Sequence, residues 1–346
     1  MAAESSEDRH SDMRFFVIGC GSIGKRHIRN LLSLEAGAVL AYDPLESCRR
    51  EIREMPQVET VDSIDDAWAW KPDSVLVCSP NIYHIEHALR AAEHDCRLFI
   101  EKPLSHQMEG VDRLIRLIRE KKLASLVGCN MRFHPGLKKV KELLEKGAIG
   151  AIVSARAEFG QYLPDWRPNS DYRRSYSARR DLGGGIVLDA IHEIDYIRWL
   201  AGGVKTVSCM MDKVSRLEMD VEDAASMVLR FENGAIGEVH VDCIQRAYKR
   251  ACRIIGEEGS IEWDYSKGEV LWYSAENREW KRFINPDGWQ VNDMYLDELR
   301  HFLQCLSDPA VQPVQDAAEG ARALEIALAA KQSSLQSLHI HLERHD

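Results

Sequence analysis

Short apolar runs alternate with helical patterns in the first part of the chain. The apolar runs have the length of buried strands, and we predict strands at residues 14–18, 37–42, 74–78, 97–100 and 123–129. Helical spacing follows the first run up to Leu34 and returns at residues 81–93 and 106–121. Repeated strand–helix units predict an α/β fold with a doubly wound parallel sheet and helices on both faces.

The pattern changes after residue 203, where strand-like runs follow one another directly. We predict strands at residues 206–211, 224–231, 235–242, 249–256 and 259–263. Asn233-Gly234 between two alternating runs indicates a hairpin, so a largely antiparallel sheet is expected. Such a sheet can leave one face for a partner, and we therefore expect a homodimer or homotetramer.

Two further pairs of elements complete the predicted organisation. A helix at 135–146 and a strand at 151–159 precede the second sheet, and helices at 293–306 and 317–333 close the chain. At 346 residues the chain is too long for one ordinary core. We predict a disordered tail at residues 1–12, a dinucleotide-binding domain at 13–128 and a substrate-binding and oligomerisation α/β domain at 129–346.

The segment Gly183–Asp195 begins with three glycines and continues with helical spacing, so a helix is predicted to start near Ile186. One side of this helix is apolar. The other side carries Asp189, His192, Glu193 and Tyr196. An imidazole beside a carboxylate suits proton transfer near neutral pH, because histidine titrates there and the acid can orient or charge it. The alternative is an amphipathic surface helix whose polar side meets water.

A glycine-rich turn lies between the first predicted strand and the helix after it. The G-x-G-x-x-G spacing makes the turn, admits a pyrophosphate and lets helix and strand pack closely. Asp43 follows the second strand, where a carboxylate accepts hydrogen bonds from the adenosine ribose and repels a 2′-phosphate. We therefore predict NAD, with NADP less favoured, although Arg49 and Arg50 could offset the repulsion. The candidate cofactor residues of this region are Gly19, Gly21, Ser22, Ile23, Gly24 and Asp43.

Ligands of a parallel sheet bind at the carboxyl ends of its strands, and two such ends carry polar residues. They add the candidate cofactor residues Ser79, Asn81, His84, Glu101 and Lys102. Lys102, fixed by the following Pro103, could reach a substrate oxygen next to the nicotinamide, which makes it a candidate catalytic residue. The alternative is a surface lysine in a tight loop.

Charge and cysteine usage exclude several classes of protein. A formal net charge of -10 argues against a general nucleic-acid binder. The nine cysteines form no C-x-x-C pair, so we expect neither a zinc module nor a disulfide framework, and no metal site is predicted. No run is long and apolar enough for a membrane span or a signal peptide, so we expect a cytoplasmic protein without membrane association.

Residues 160–182 lack periodicity and are rich in arginine and aromatic residues. Long loops are commonly functional, aromatic faces stack on sugar rings, and guanidinium groups bind carboxylate or phosphate. The candidate substrate residues of this loop are Tyr162, Trp166, Arg167, Arg173 and Tyr176. The leading substrate class is an anionic sugar, meaning a sugar acid, a phosphosugar or a nucleotide-linked sugar. The alternative is that Asp165, Asp171 and Asp181 neutralise several arginines in a structural loop.

This combination of motifs resembles the Gfo/Idh/MocA family, the relatives of glucose–fructose oxidoreductase and inositol dehydrogenase. The matching features, which span most of the chain in the family's order, are Gly19-x-Gly21-x-x-Gly24-x-x-His27, Glu101-Lys102-Pro103, Asn130-Met131-Arg132-Phe133, and Gly183-Gly184-Gly185 followed by Asp189, His192 and Asp195. The resemblance implies a Rossmann domain followed by an α/β domain with an open, mainly antiparallel sheet that helps assembly, and an active site between the two.

The resemblance also implies roles for individual residues. Lys102, Asp189 and His192 would surround the carbon that exchanges hydride, and Arg132 joins His192 as a candidate substrate residue. Many relatives place the histidine four residues after the aspartate, whereas His192 is three after Asp189 and Glu193 takes the fourth place. The His-x-x-Asp spacing is kept, so we align His192 with the family histidine.

We therefore expect an NAD-dependent oxidoreductase acting on a secondary hydroxyl of a sugar or cyclitol, or on the matching ketone. His192 would take the hydroxyl proton, while Asp189 and Lys102 orient the oxygen and stabilise its developing charge. Two alternatives remain: a redox-neutral enzyme that uses bound NAD for transient oxidation before elimination or glycoside cleavage, and a non-catalytic cofactor-binding regulator.

Overall fold

The computed structural model describes residues 12–343, so nearly all of the predicted tail at 1–12 lies outside the described residues. The described chain forms two compact units. One unit takes in the residues up to Cys129 together with Val291–Ala321. The other consists of Asn130–Gln290 and the residues from Arg322 onward.

The first unit contains a parallel sheet with six strands among the described residues. These strands are β1 Arg14–Ile18, β2 Ala38–Tyr42, β3 Val58–Thr60, β4 Ser74–Val77, β5 Arg97–Glu101 and β6 Ser125–Gly128. Their order is β3-β2-β1-β4-β5-β6, so the chain builds outward in both directions from the β1–β4 pair. The predicted doubly wound parallel sheet is confirmed, and its ligand crevice is expected where the order reverses.

Helices follow the strands of the first sheet. They are α1 Ser22–Ser33, α2 Glu46–Arg53, α3 Ile64–Ala69, α4 His84–Glu93 and α5 Val111–Lys121. Apolar side chains of the strands meet those of the helices in one buried cluster, which includes Phe15, Val17 and Leu76 of the strands and Ile28 and Leu31 of α1. This core fixes the carboxyl ends of the strands, where the candidate cofactor residues lie.

The second unit contains a larger sheet, with nine strands within residues 12–343. These strands are β7 Ile152–Gly160, β8 Val204–Asp212, β9 Ala224–Phe231, β10 Ile236–Asp242, β11 Lys249–Gly256, β12 Gly259–Asp264, β13 Glu269–Ser274, β14 Glu279–Ile284 and β15 Ile340–His341. The order is β14-β13-β12-β11-β7-β10-β9-β8-β15, and the β7–β10 pair is parallel while the other pairs are antiparallel. The mainly antiparallel sheet, including the Asn233-Gly234 hairpin between β9 and β10, is confirmed.

One face of this sheet is covered by helices. The helices of this part of the chain are α6 Pro135–Glu145, α7 Leu163–Trp166, α8 Ile186–Asp189 and α9 Ile191–Ala201. Strand β9 alternates buried and exposed residues along its length, because one side meets the helices and the other is exposed within this chain. None of the helices in the described part of the chain is long and apolar enough to cross a bilayer.

The last two helices are α10 Val291–Ser307 and α11 Ala317–Gln336, and they are divided between the two units. The sequence predicted a domain at 129–346 that includes both, whereas α10 and the first five residues of α11 belong to the first unit and the rest of α11 belongs to the second. The physical reason is apolar packing: Leu299, Phe302 and Leu303 join the buried cluster of the first sheet, and the Phe302 and Phe99 ring centres lie 5.7 Å apart.

Replacement of Phe302 by alanine tests this assignment. The variant loses a fully buried ring, and we expect a cost of about 3–5 kcal/mol in the stability of the first unit. Amide hydrogen exchange should therefore accelerate in β1, β4 and β5 and stay unchanged in β9 and β10. The control Leu335→Ala removes an exposed side chain of α11 and should change neither sheet. Faster exchange in the second sheet alone would contradict the assignment of α10.

Candidate active site

The glycine turn between β1 and α1 is shaped for a phosphate group. Gly19 has a φ of +99°, and a Cβ on Gly24 would overlap the carbonyl oxygen of Gly19. A Cβ on Gly21, in contrast, would meet no heavy atom of the described residues within 4 Å, and no side chain caps the start of α1 there. Open space therefore adjoins the positive end of a helix, which fits the pyrophosphate of NAD.

Asp43, which directly follows β2, is hydrogen-bonded to this turn. Its Oδ2 accepts a hydrogen bond from the amide of Cys20 at 2.8 Å, and its Oδ1 accepts one from the amide of Leu45 at 2.9 Å. Burial, helped by the charge of Asp43, raises the pKa of the Cys20 thiol to about 12. The cysteine inside the turn therefore stays protonated and places no negative charge beside a phosphate.

Arg49, whose positive charge could offset the repulsion between Asp43 and a 2′-phosphate, already contacts other groups of the chain. Its guanidinium pairs with Glu46 at 2.9 Å and Asp62 at 3.3 Å and also donates to the carbonyl oxygen of Asp43. Two carboxylates share this positive charge, so little of it remains to attract a 2′-phosphate.

His84 and Glu101, predicted as cofactor residues, are bound to the chain itself. The His84 ring nitrogens lie 2.8 Å from the carbonyl oxygens of Ser79 and Pro103, which ties together the loops after β4 and β5. Burial lowers the pKa of His84, and a neutral ring donates to only one of the two carbonyls at a time. His84 therefore supports these loops, and its cofactor role stays a prediction.

The carboxylate of Glu101 holds the backbone before Lys102. Its Oε1 lies 2.6 Å from Nε2 of His27, and its Oε2 accepts a hydrogen bond from the Lys102 amide at 3.1 Å. His27 and Glu101 are both buried. His27 ends the glycine motif that matches the family, but the sequence predicted no contact for it. A signal was present, because His27 follows Gly24 by three residues and therefore lies on the same side of α1, facing the sheet.

The predicted helix near Ile186 is two short helices in the structure. Ala190 breaks the segment between α8 and α9 with a φ of -92° and a ψ of 31°. Asp189 ends α8 and His192 is the second residue of α9. Both residues are at least nine-tenths buried, so Asp189 and His192 are enclosed at the same break in the helix.

The alternative of an amphipathic surface helix whose polar side meets water is wrong. Glu193, Asp195 and Tyr196 are completely buried, because α9 packs its polar side as well as its apolar side inside the second unit. Hydrophobic spacing alone could not predict this, since it does not reveal where counter-charges for buried carboxylates come from.

Two arginines supply those counter-charges. Arg132 forms a two-pronged ion pair with Asp195, at 2.9 Å from Nε and 2.7 Å from Nη2. Arg250 on β11 lies 2.8 Å from Glu193. Arg132, predicted as a substrate residue, therefore supports α9, and Glu193 serves as an ion-pair partner; the substrate role of Arg132 stays a prediction. Arg250 was missed, since a single arginine within a strand carries no sequence signal for a buried partner.

The glycine triplet fits tightly against the preceding loop. A Cβ on Gly184 would overlap the carbonyl oxygen of Tyr176, and the amides of Gly184 and Gly185 donate to the carbonyls of Arg179 at 2.9 Å and Ser177 at 3.2 Å. The Tyr176 hydroxyl donates to Oδ1 of Asp189 at 2.6 Å. The loop is thus anchored to the start of α8.

Acidic residues neutralise part of the arginine set in this loop. Arg173 binds Asp171 at 2.8 Å and Glu218 at 3.3 Å, and Arg179 forms an ion pair with Asp181. Two of the three aspartates named in the alternative interpretation therefore pair as it expected. Arg167 has no carboxylate partner among residues 12–343, and its guanidinium lies 6.0 Å from the ring centre of Tyr176.

The other aromatic candidates are also engaged within the chain. The guanidinium of Arg246 lies over the Tyr162 ring, 3.5 Å from the ring centre. The indole N–H of Trp166 donates a hydrogen bond to the carbonyl oxygen of Gln161 at 3.0 Å. Within the described residues, no group of three or more histidine, cysteine or acidic side chains is arranged to hold a metal ion.

Two family models match this chain. The model "Oxidoreductase family, NAD-binding Rossmann fold" matches residues 13–129, and "GFO/IDH/MocA C-terminal domain" matches residues 137–262. The myo-inositol 2-dehydrogenase of Thermotoga maritima is 31% identical over 347 residues, which cover 96% of this chain and 99% of the relative. The chain belongs to the GFO/IDH/MocA family of oxidoreductases. The resemblance inferred from the sequence motifs is therefore confirmed.

Solved structures share the two-part fold of this GFO/IDH/MocA protein. Levoglucosan dehydrogenase in complex with NADH and L-sorbose has a TM-score of 0.87 at 21% identity, covering 96% of this chain and 99% of that one. The WlbA dehydrogenase of Bordetella pertussis in complex with NADH and UDP-GlcNAcA has a TM-score of 0.81 at 22% identity, covering 96% and 100%. At these identities the likeness shows the fold alone.

Proposed function

We propose that this protein is an NAD-dependent dehydrogenase that oxidises a secondary hydroxyl of a cyclitol or sugar. The observation that carries the proposal is the buried Asp189 and His192 at one helix break, in a chain that a myo-inositol dehydrogenase matches over nearly its whole length. A carboxylate and an imidazole fixed in this way can orient a hydroxyl and accept its proton.

The proposed division of labour involves three side chains. His192 accepts the hydroxyl proton, while Asp189 orients the hydroxyl and the ammonium group of Lys102 stabilises the negative charge that develops on its oxygen. Bound NAD supplies the hydride acceptor. The Glu101–His27 pair acts indirectly, by fixing the backbone from which Lys102 projects.

The anionic-sugar proposal now depends chiefly on Arg167. Arg173 and Arg179 are paired with carboxylates, so their charge is largely neutralised. Arg167 has no such partner in the described chain, so of the two candidate substrate arginines in the loop it is the better suited to bind a substrate carboxylate. We therefore expect a sugar acid to gain affinity over a neutral polyol of the same size through this residue.

The function is tested by recording NADH absorbance with myo-inositol, levoglucosan and D-glucuronate. We expect NADH with at least one of them, and Lys102→Ala should abolish it while NAD binding, measured by calorimetry, persists. The matched control is Lys121→Ala, which removes a lysine that pairs with Asp95 and should leave turnover unchanged.

The same assay separates the alternative functions. NAD binding without turnover of any substrate would favour the regulator, and product formation without NADH would favour the redox-neutral enzyme. Myo-inositol outperforming D-glucuronate would contradict the anionic preference.

Cofactor preference is the second test. Asp43→Ser removes the charge that repels a 2′-phosphate, and we expect the ratio of kcat/KM for NAD to that for NADP to fall about tenfold or more. Arg49→Gln should leave this ratio unchanged, since the Arg49 charge is shared by Glu46 and Asp62. A wild-type enzyme that uses NADP better than NAD would overturn the NAD proposal.

We also propose that the protein is a homo-oligomer that pairs through the uncovered face of the large sheet. The exposed apolar side chains Met210, Val228 and Ile236 lie on the adjacent strands β8, β9 and β10. Arg156 and Glu238 form an ion pair on the same sheet, 2.8 Å apart. Exposed apolar side chains together with charges of both signs suit contact with a second copy.

Analytical ultracentrifugation checks the assembly. The wild-type chain should sediment as a dimer or tetramer, and Val228→Asp should shift it toward the monomer by placing a charge at the contact. Leu335→Asp, at an exposed position on α11, should leave the sedimentation coefficient unchanged. A monomeric wild type at micromolar concentration would refute the assembly.

A further inference from the structure

Tyr176 has contacts that its predicted role did not include. The sequence suggested a stacking surface for a sugar, but the hydroxyl donates to Oδ1 of Asp189 at 2.6 Å. The guanidinium of Arg167 lies over the ring, 6.0 Å from its centre. Tyr176 therefore lies between the arginine best suited to bind an anionic substrate and the carboxylate proposed to orient the hydroxyl.

The backbone of Tyr176 is fixed as firmly as its hydroxyl. Its carbonyl oxygen occupies the space that a side chain on Gly184 would need. The amide of Gly185 donates a hydrogen bond at 3.2 Å to the carbonyl oxygen of Ser177, the residue that follows Tyr176. Five residues after Gly184, Asp189 ends the short helix α8. The glycine triplet thus joins the two ends of the Tyr176–Asp189 hydrogen bond through one tightly packed turn.

A fixed donor matters because a carboxylate turns easily about its last side-chain bond. The terminal torsion of aspartate has a broad energy profile, so packing alone defines the carboxylate plane poorly. A short hydrogen bond from a hydroxyl to a charged oxygen restricts that rotation. Small errors in the orientation of a reacting group can cost orders of magnitude in rate.

We propose that Tyr176 is a positioning residue for the dehydrogenase reaction, which sets the plane of the Asp189 carboxylate and couples it to the arginine-bearing loop. This inference rests on the proposed function, since it assumes that Asp189 orients the substrate hydroxyl. Tyr176 itself acts through Asp189 and transfers no proton to or from the substrate.

Tyr176→Phe is the direct test, because it removes one oxygen and keeps the ring beneath Arg167. With the best substrate among myo-inositol, levoglucosan and D-glucuronate, we expect kcat to fall about tenfold, as for one lost hydrogen bond to a charged group, and KM to stay within about twofold. Tyr172→Phe is the matched control. Its hydroxyl accepts a hydrogen bond from the Glu218 amide at 3.1 Å in the same loop, so it reports loosening of the loop alone.

A double-mutant cycle separates positioning from a general structural effect. In an Asp189→Ala background, Tyr176→Phe should lower the residual kcat by less than about twofold, because the group it positions is gone. Full additivity of the two substitutions would overturn the inference, as would equal kinetics for Tyr176→Phe and Tyr172→Phe in an active enzyme. A wild-type chain that produces no NADH with any of the three substrates would overturn the proposed function, and this inference with it.

Discussion

Burial of charge in helix α9 is the constraint on which the second unit depends. Glu193 and Asp195 are completely buried, and a buried carboxylate is tolerated only when an opposite charge and further hydrogen bonds accompany it. Arg250 on β11 pairs with Glu193, and Arg132 in the segment before α6 pairs with Asp195. These ion pairs join the sheet and the connecting segment to helix α9. His192 lies between these carboxylates and Asp189 in sequence, and its position follows from theirs.

Five of the six described strands of the first sheet could be predicted because their signals are local. Strand β1 was predicted with the bounds that the structure gives, and the glycine spacing indicated both the turn and the helix after it. Apolar runs, turn residues and helical spacing act over a few residues, and alternation of strands with helices predicts a parallel sheet because parallel strands need helical crossover connections.

The candidate site could be predicted only in outline, because its supporting contacts join distant residues. Glu101 binds His27 across 74 positions, and Arg132 binds Asp195 across 63. Nothing in the residues next to Arg132 distinguishes a guanidinium that meets a ligand from one that meets an internal carboxylate. The division of helix 186–201 at Ala190 was missed for a similar reason, since alanine favours a continuous helix and tertiary packing imposes the break.

The return of residues 291–321 to the first unit has a consequence for biosynthesis. A ribosome releases the chain from its N-terminus, so β1 to β6 emerge well before Phe302 and its apolar neighbours on α10. Until then, the nascent nucleotide-binding unit lacks part of its hydrophobic core and exposes the surface that α10 will cover. Its final consolidation must wait for synthesis of the whole intervening unit, which makes this stage a natural point of chaperone dependence.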